Sequence, residues 1–441
     1  MVMHIYFSGI GGTAIGPLAL IAKEAGFEVS GSDSQGSQYI DYLRKHGLGN
    51  IHIGQDRDQI ATVHDKKPID WFVHSSAVKD DNAEMQYVRE QDIKTSKRDE
   101  LINLILKEKH LKLIAIAGTH GKTTTTAMVI WLFKQLKEPV SYSVGAKIDF
   151  GDMGEYEPKS EYFVYEADEF DRNFLAFEPF ISLISGVSWD HHEIYPTRED
   201  YQQAFKEFIS QTKLTFLWQE DADYLSLEQD SSLAIQDSGD RKIDKVTLDG
   251  RYNRLDAWLA IQALHEVTNR PIPELIKLMN DFPGSQRRME EIIPGLYSDY
   301  AHTPDKIRGA MSIALEMAAK DALGRTSDRG KGIRRVVVVY EPLTDRRQHH
   351  MIDDYKDCFA GAEVVYWIPS YLAREDPNQE VIPPSELIKH LVDPSIAQAK
   401  ERNQELEDII RYHLSKNDMV VCMAGGGGDS LDEWVRERFG K

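Results

Sequence analysis

Gly118-Thr119-His120-Gly121-Lys122-Thr123 brings together the groups needed to hold a nucleoside triphosphate. Gly118 and Gly121 let backbone N–H groups approach phosphate oxygens, Lys122 supplies a point charge for the β- and γ-phosphates, and Thr123 offers a hydroxyl to Mg²⁺. The general phosphate-loop pattern would place glycine at position 116, where this chain has Ile116, so the loop is a shorter form. A plain turn before a threonine-rich helix is the alternative. An apolar strand from Leu111 to Ala117, then the glycines, Lys-Thr and a helical pattern follow one another in the order a phosphate loop requires.

Two acidic turns could complete such a site. Glu166-Ala167-Asp168-Glu169-Phe170-Asp171 follows the apolar run Tyr162 to Tyr165, where open α/β sheets place ligands, and it reads either as a Mg²⁺ site or as a solvated acidic loop. Asp190-His191-His192-Glu193 follows a second apolar stretch and offers a further metal-ligating turn. A zinc hydrolase site is a weaker rival there, because no third ligand has the spacing. Basic pairs occur at Arg287-Arg288 and Arg346-Arg347, and their guanidinium forks suit phosphate or carboxylate. Asp299-Tyr300-Ala301-His302 sets an acid and an imidazole close together.

The elements that must carry these groups read as alternating strands and helices, hence α/β with parallel sheets. The chain opens with a strand at His4 to Ser8, a glycine loop at Gly9-Ile10-Gly11-Gly12-Thr13-Ala14, a helical pattern and a strand ending at Asp33. Gly9, Gly11 and Ala14 fit a dinucleotide fingerprint with Asp33 as the ribose acid, so taken alone this segment points to an NAD-dependent oxidoreductase. Late strands are expected at Val336 to Tyr340 and Met419 to Met423, and the polar stretch Gln229 to Lys245 reads as surface connection. At 441 residues the chain is too long for one core. We expect three domains: 1–109, Rossmann-like; 110–292, a central ATPase-type parallel sheet; and 293–441, again Rossmann-like.

Composition narrows the partners. A formal charge of −20 argues against nucleic acid, and 41% apolar with 28% charged residues fits a globular chain. The start reaches its glycine loop before any long apolar region develops, and no run approaches the roughly 18 apolar residues of a membrane span. A cytoplasmic protein without membrane insertion, monomeric or weakly dimeric, is the expectation. The two cysteines, Cys358 and Cys422, lack metal-type spacing and read as buried thiols.

Taken together, GIGG, GSD, SSA at Ser75 to Ala77, GTHGKTTTT, EADE, DH, GRYN at Gly250 to Asn253, RR and DYAHTP occur in the order of the Mur ligases. The chain therefore resembles that family of ATP-dependent amide-forming enzymes from end to end. The resemblance implies that ATP and Mg²⁺ are used to join L-alanine to the carboxylate of UDP-N-acetylmuramate through an acyl phosphate. Reattachment of a recycled tripeptide to the same sugar nucleotide is the second choice.

On this resemblance Gly9, Gly11, Gly12, Thr13, Asp33, Ser75 and Ser76 hold the UDP-sugar. ATP falls to Gly118, Thr119, His120, Gly121, Lys122, Thr123, Thr124, Asn253, Arg288, Asp299 and His302. One metal ion falls to Thr123 and Glu166 and a second to His191 with substrate oxygens, while Lys122, Glu166, His191 and Arg288 serve the chemistry. Arg346 is assigned to the carboxylate of the amino acid. The chain departs from the family at Ser185-Gly186, where Thr-Asn is usual, at Arg251-Tyr252-Asn253 in the adenine region, and at Pro342-Leu343-Thr344, where Pro-His-Arg is common.

Overall fold

The computed structural model describes residues 2–75, 77–191, 194–284, 288–322, 335–372, 379–426 and 429–440. Three sheets organise them. The first contains β1 (His4–Ser8), β2 (Glu28–Asp33), β3 (Ile51–Ile53), β4 (Trp71–His74) and β5 (Lys94–Ser96), all parallel, in the order β3-β2-β1-β4-β5. β1 is buried along its length because it has neighbours on both sides and helices over both faces. The order reverses between β1 and β4, and such a switch point opens a crevice beyond the strand ends, here at Ser8 and His74.

The second sheet has seven strands: β6 (Lys112–Ala117), β7 (Ser141–Ser143), β8 (Gly154–Glu155), β9 (Tyr162–Glu166), β10 (Ile181–Ile184), β11 (Leu214–Trp218) and β12 (Leu233–Gln236). Their order is β12-β11-β10-β6-β9-β7-β8, parallel except for the short β7–β8 pair. β6 reads Leu-Ile-Ala-Ile-Ala through its buried stretch, a continuous apolar run because this strand is central and covered twice. β12 corrects the expectation of mere surface connection at Gln229 to Lys245. It lies at the sheet edge, where only Leu233 is buried, so a polar sequence suffices to make it.

The third sheet comprises β13 (Glu290–Ile293), β14 (Leu296–Asp299), β15 (Val336–Glu341), β16 (Val364–Trp367), β17 (Ala397–Ala399) and β18 (Met419–Ala424), in the order β13-β14-β18-β15-β16-β17. The β13–β14 hairpin is antiparallel and the rest is parallel. β13 straddles the position 292/293 at which the sequence divides the second expected domain from the third. The described residues fall into two compact units: Met1–Val246 with Leu255–Pro283, which holds the first two sheets, and Thr247–Arg254 with Gly284–Lys441, which holds the third. The basic stretch 325–334 lies outside the described residues.

Candidate active site

The loop after β6 has the backbone its glycines permit. Gly118 and Gly121 have φ of +139° and +76°, and a Cβ on Gly121 would come within 2.8 Å of the Asp256 carboxylate. The helix Lys122–Leu136 starts directly after Gly121 with no side-chain cap, leaving its first N–H groups and its positive dipole end for an anion. Thr119 Oγ accepts the Ser188 N–H (2.9 Å), donates to the Ser188 carbonyl (2.7 Å) and lies 2.7 Å from the Tyr201 hydroxyl. His120 Nε2 lies 3.0 Å from Ser188 Oγ, and the Ser185 hydroxyl donates to the His120 carbonyl. The loop after β10 thus braces the phosphate loop, with Ser185 acting through its hydroxyl. Thr124 is buried in the first turn of the helix.

Lys122 does not point into open solvent. Its ammonium donates to both oxygens of Glu169 (2.7 and 3.0 Å) and to the Gly118 carbonyl (2.6 Å). Glu169 is fully buried, and His191 Nε2 lies 3.5 Å from the same carboxylate. Burial alone would raise the Glu169 carboxyl, but Lys122 and then His191 overrule it and hold it down to about 2. For Lys122 the balance has the same outcome: burial works against the charge, and Glu169, Asp168 and Glu166 raise its pKa despite that.

Glu166 ends β9, paired with Ile116 of β6, so the sheet register delivers its carboxylate to the loop. One oxygen accepts the Thr123 hydroxyl (2.9 Å) and the other the Gly145 N–H (2.9 Å). Gly145 escaped the sequence reading; a Cβ there would sit 2.7 Å from Glu166, so its signal is steric and invisible in a motif. Among the described residues no set of three or more His, Cys, Asp and Glu converges into a ready-made metal cage. One carboxylate beside one hydroxyl nevertheless suits Mg²⁺, which is held by one or two protein oxygens, water and substrate phosphates. Thr123 and Glu166 therefore fit the metal assigned to them, and His191, assigned to a second ion, lies beside Glu169 and Asp190. His192 and Glu193 lie outside the described residues.

A second part of this unit was not legible beforehand. Lys97 and Arg98 follow β5, and a cavity lined by Ala14, His74, Ser75, Arg98, Asp168 and Phe170 joins the glycine loop to the acidic turn. Arg98 lies 3.7 Å from Asp168, and Lys97 pairs with Asp171. A basic pair at a strand's carboxyl end is a weak sequence signal, since such pairs are usually solvated. In the glycine loop itself Gly9 has φ +81°, and the Gly11 N–H donates to Asp33 (2.8 Å). Gly12 and Thr13 complete the turn before the helix Ile15–Glu24, and Ser76 lies outside the described residues.

Behind the Ser185–Ser188 loop, the Asp221 carboxylate accepts the Val187 N–H (2.8 Å). Burial, partly offset by that hydrogen bond, pushes its pKa up to about 7. The unfolded value lies near 3.9, so between about pH 4 and 7 the folded state holds a proton that the unfolded state has lost. Stability should therefore fall as pH rises through that window, by an amount on the order of a few kcal/mol. Asp221→Asn, which keeps an acceptor for Val187, should flatten the dependence. Denaturant midpoints at pH 5 and 8 provide the check, and an equal slope in both proteins would exclude Asp221 as its source.

The other unit gathers a cationic pocket at the ends of β14 and β15. His302 is buried, its Nδ1 donates to the Tyr300 carbonyl (2.8 Å), and its Nε2 faces Lys306 (3.5 Å) and Arg347 (3.4 Å). Burial, followed by these two cations, pushes its pKa well below the ordinary value, so the ring is neutral and Nε2 is an acceptor. The Arg288 guanidinium stacks 5.4 Å from the Tyr300 ring centroid. Asp299 accepts the Ala301 and Met289 N–H groups (2.8 and 2.9 Å), shaping the turn. Asn253, in the first turn of the helix Arg251–Thr268, donates to the Asp249 carbonyl (2.8 Å). Arg346 belongs to the helix Asp345–Met351, but its side chain lies outside the described residues, as does Arg287. Lys306 is the cation sequence reasoning missed; Arg347 reads in the sequence only as half of the Arg346-Arg347 pair, not as a neighbour of His302. A spacing of four residues from His302 could have suggested Lys306, whereas Arg347 is brought in by the fold.

A phosphate loop on a parallel sheet, an acid at the neighbouring strand end and a glycine-loop sheet in the same unit define a nucleotide-dependent phosphoryl-transfer enzyme. The chain belongs to the Mur ligase family: residues 4–110 match the family's catalytic domain and 116–236 its middle domain. This ordered match absorbs the dinucleotide-like fingerprint that suggested an oxidoreductase.

Curated relatives are similar along most of the chain. The UDP-N-acetylmuramate–L-alanine ligase of Clostridium acetobutylicum is 28% identical, covering 96% of this chain and 95% of that protein. The ligase of the same name from a Nocardioides species is 29% identical over 86% and 83%. Among solved structures, the UDP-N-acetylmuramate–alanine ligase of Thermotoga maritima has a TM-score of 0.73 at 24% identity, covering 99% of this chain and 98% of that one. A murein peptide ligase from Psychrobacter arcticus has a TM-score of 0.62 at 20% identity, over 100% and 99%.

Proposed function

We propose that this chain is the ATP-dependent ligase that joins L-alanine to the carboxylate of UDP-N-acetylmuramate in peptidoglycan precursor synthesis. The observation that carries the proposal is the Gly118–Thr123 loop with Lys122 held by Glu169 and Thr123 beside Glu166, following a glycine-loop domain suited to a sugar nucleotide. Three parts divide the work: 1–109 for the UDP-sugar, 110–292 for ATP, and 293–441 for the amino acid. Gly9 to Thr13 serve the pyrophosphate and Asp33 and Ser75 the uridine end, with Asp33 set to exchange the Gly11 N–H for a ligand group. Consumption of a nucleotide-linked precursor favours the cytoplasm, and among the described residues no helix is long and apolar enough to cross a membrane.

In the first step a carboxylate oxygen of the sugar attacks the γ-phosphorus of ATP, the bond to the β,γ-bridging oxygen breaks, and ADP leaves an acyl phosphate. The amine then attacks the acyl carbon, and collapse of the tetrahedral adduct expels phosphate as the nitrogen loses a proton. Lys122 and the N–H groups at the start of the helix Lys122–Leu136 hold the phosphates in line. Mg²⁺, held by Thr123 and Glu166, would screen the two anions that must meet. Glu169 keeps Lys122 charged and directed, and His191, beside the same carboxylate, retains its assignment to a second metal ion with substrate oxygens. Asn253, Arg288, Asp299 and His302 remain assigned to the nucleotide.

We assign the carboxylate of the amino acid to the Arg346–Arg347 pair, of which the Arg347 guanidinium lies beside His302. Arg347→Ala should raise KM for the amine about 10- to 100-fold, since a charge-assisted pair is worth roughly 1.5–3 kcal/mol, with a clearly smaller rise in KM for ATP through its neighbour His302. Equal shifts for both substrates would refute the assignment.

Phosphate release from the purified protein with ATP, Mg²⁺ and UDP-N-acetylmuramate tests the whole proposal, comparing L-alanine, glycine, L-serine and the L-alanyl-γ-D-glutamyl-diaminopimelate tripeptide. The Pro342-Leu343-Thr344 departure makes the tripeptide arm necessary. Release with the tripeptide alone would make this a recycling ligase, and release with none would end the ligase assignment.

A further inference from the structure

The first sheet contains a buried carboxylate that no step above uses. Glu84 lies in the first turn of the helix Ala83–Glu90 and is fully buried. One oxygen accepts the Tyr6 hydroxyl (2.6 Å), and the other accepts the hydroxyls of Ser8 (2.6 Å) and Ser32 (2.8 Å). Tyr6 and Ser8 belong to β1 and Ser32 to β2, so one side chain ties two neighbouring strands to a helix. The ties continue outward: Gln55 donates to Ser8 Oγ (2.9 Å), Asn82 donates to Gln55 (3.2 Å), and the Asn82 carbonyl oxygen caps the Glu84 N–H (2.9 Å).

What these groups share is the glycine loop. Ser8 immediately precedes Gly9, and the Ser32 carbonyl accepts the N–H groups of Gly9 (2.9 Å) and Ile10 (3.0 Å). The loop's entrance and the strand end from which it hangs are therefore both fixed through Glu84. Its hydrogen-bond partners are three neutral hydroxyls, and burial raises its carboxyl pKa. An apolar side chain would avoid the desolvation cost but strand three buried hydroxyls, so the acid both satisfies these donors and fixes the geometry of the strands that carry them. The start of the helix Ala83–Glu90 offsets part of that cost through its dipole.

We infer that Glu84 is a positioning residue for the pyrophosphate of the sugar nucleotide, holding the Gly9–Gly12 backbone in the shape that receives a diphosphate. This rests on the assignment of residues 1–109 to the UDP-sugar. A loop held at both ends presents its N–H groups with little ordering left to do when the ligand arrives, so the effect of Glu84 belongs in affinity for that substrate alone.

The test measures UDP binding by calorimetry and steady-state KM for UDP-N-acetylmuramate and for ATP in wild type, Glu84→Ala and Glu84→Gln. Glu84→Ala is expected to raise Kd for UDP and KM for the sugar nucleotide about 10- to 100-fold, with KM for ATP within twofold and kcat within threefold. Glu84→Gln keeps the shape and most partners and should raise the same two constants about 3- to 10-fold, a readout that survives if the alanine variant fails to fold. Wild-type binding with both constants unchanged in Glu84→Gln overturns the inference, as does a parallel rise of both KM values, the mark of general loosening. A wild-type protein that does not bind UDP overturns the domain assignment and the inference with it.

Discussion

Lys122→Ala should lower substrate-dependent ADP formation by about 1,000-fold or more, because it removes the one point charge that the loop offers the β- and γ-phosphates. It should also destabilise the protein. The ammonium is bound to a fully buried Glu169, and taking away one member of such a pair leaves an uncompensated charge, at a cost on the order of 3–5 kcal/mol. Loss of activity in the single variant would therefore mix two causes. Adding Glu169→Gln separates them, since it removes the stranded charge while leaving a side chain of the same shape. We expect the double variant to recover most of the lost thermal midpoint and none of the turnover. Turnover recovered together with the midpoint would mean that Lys122 serves the fold alone. Rapid phosphate-release assays beside thermal melts give both readouts on the same samples.

Glu166→Gln should reduce kcat by about 100- to 1,000-fold and raise the Mg²⁺ concentration needed for half-maximal rate, with little change in the melting midpoint. The reason is the division of its two oxygens. Today one accepts from Thr123 and the other from Gly145, which leaves the Thr123 oxygen's lone pairs available to a cation. An amide can keep the Gly145 bond with its single oxygen, but its NH₂ must then donate to Thr123. The fold loses nothing, whereas the site loses a carboxylate charge and commits one of the hydroxyl's lone pairs. A Mg²⁺ titration with an unchanged midpoint would remove Glu166 from the metal site.

Much of the scaffold could be read from the chain because its signals are local. The apolar runs that became β6, β15 and β18 are central strands, and a strand covered on both faces needs an unbroken apolar sequence. The glycine loops were legible for the same kind of reason: φ values of +81°, +139° and +76° at Gly9, Gly118 and Gly121 are positions that favour glycine over side-chain residues. Edge strands gave less. β12 has one covered face and a polar composition, so its identity depends on the neighbour it pairs with more than on its own residues.

By itself, then, the sequence determined the α/β class, the phosphate loop, the acid at the end of β9 and the ordered family motifs, each built from short runs of neighbouring residues or from their order along the chain. The tertiary structure decided which of those groups meet. Lys122 reaches Glu169 and Thr123 reaches Glu166 because β6 and β9 are adjacent in one register, and Arg347 reaches His302 across the third sheet. Glu84 gathers Tyr6 and Ser8 from 78 and 76 residues away. Hydrophobic periodicity specifies which face of an element is buried, but it carries little information about strand order or about which polar side chains a closed fold brings within hydrogen-bonding distance.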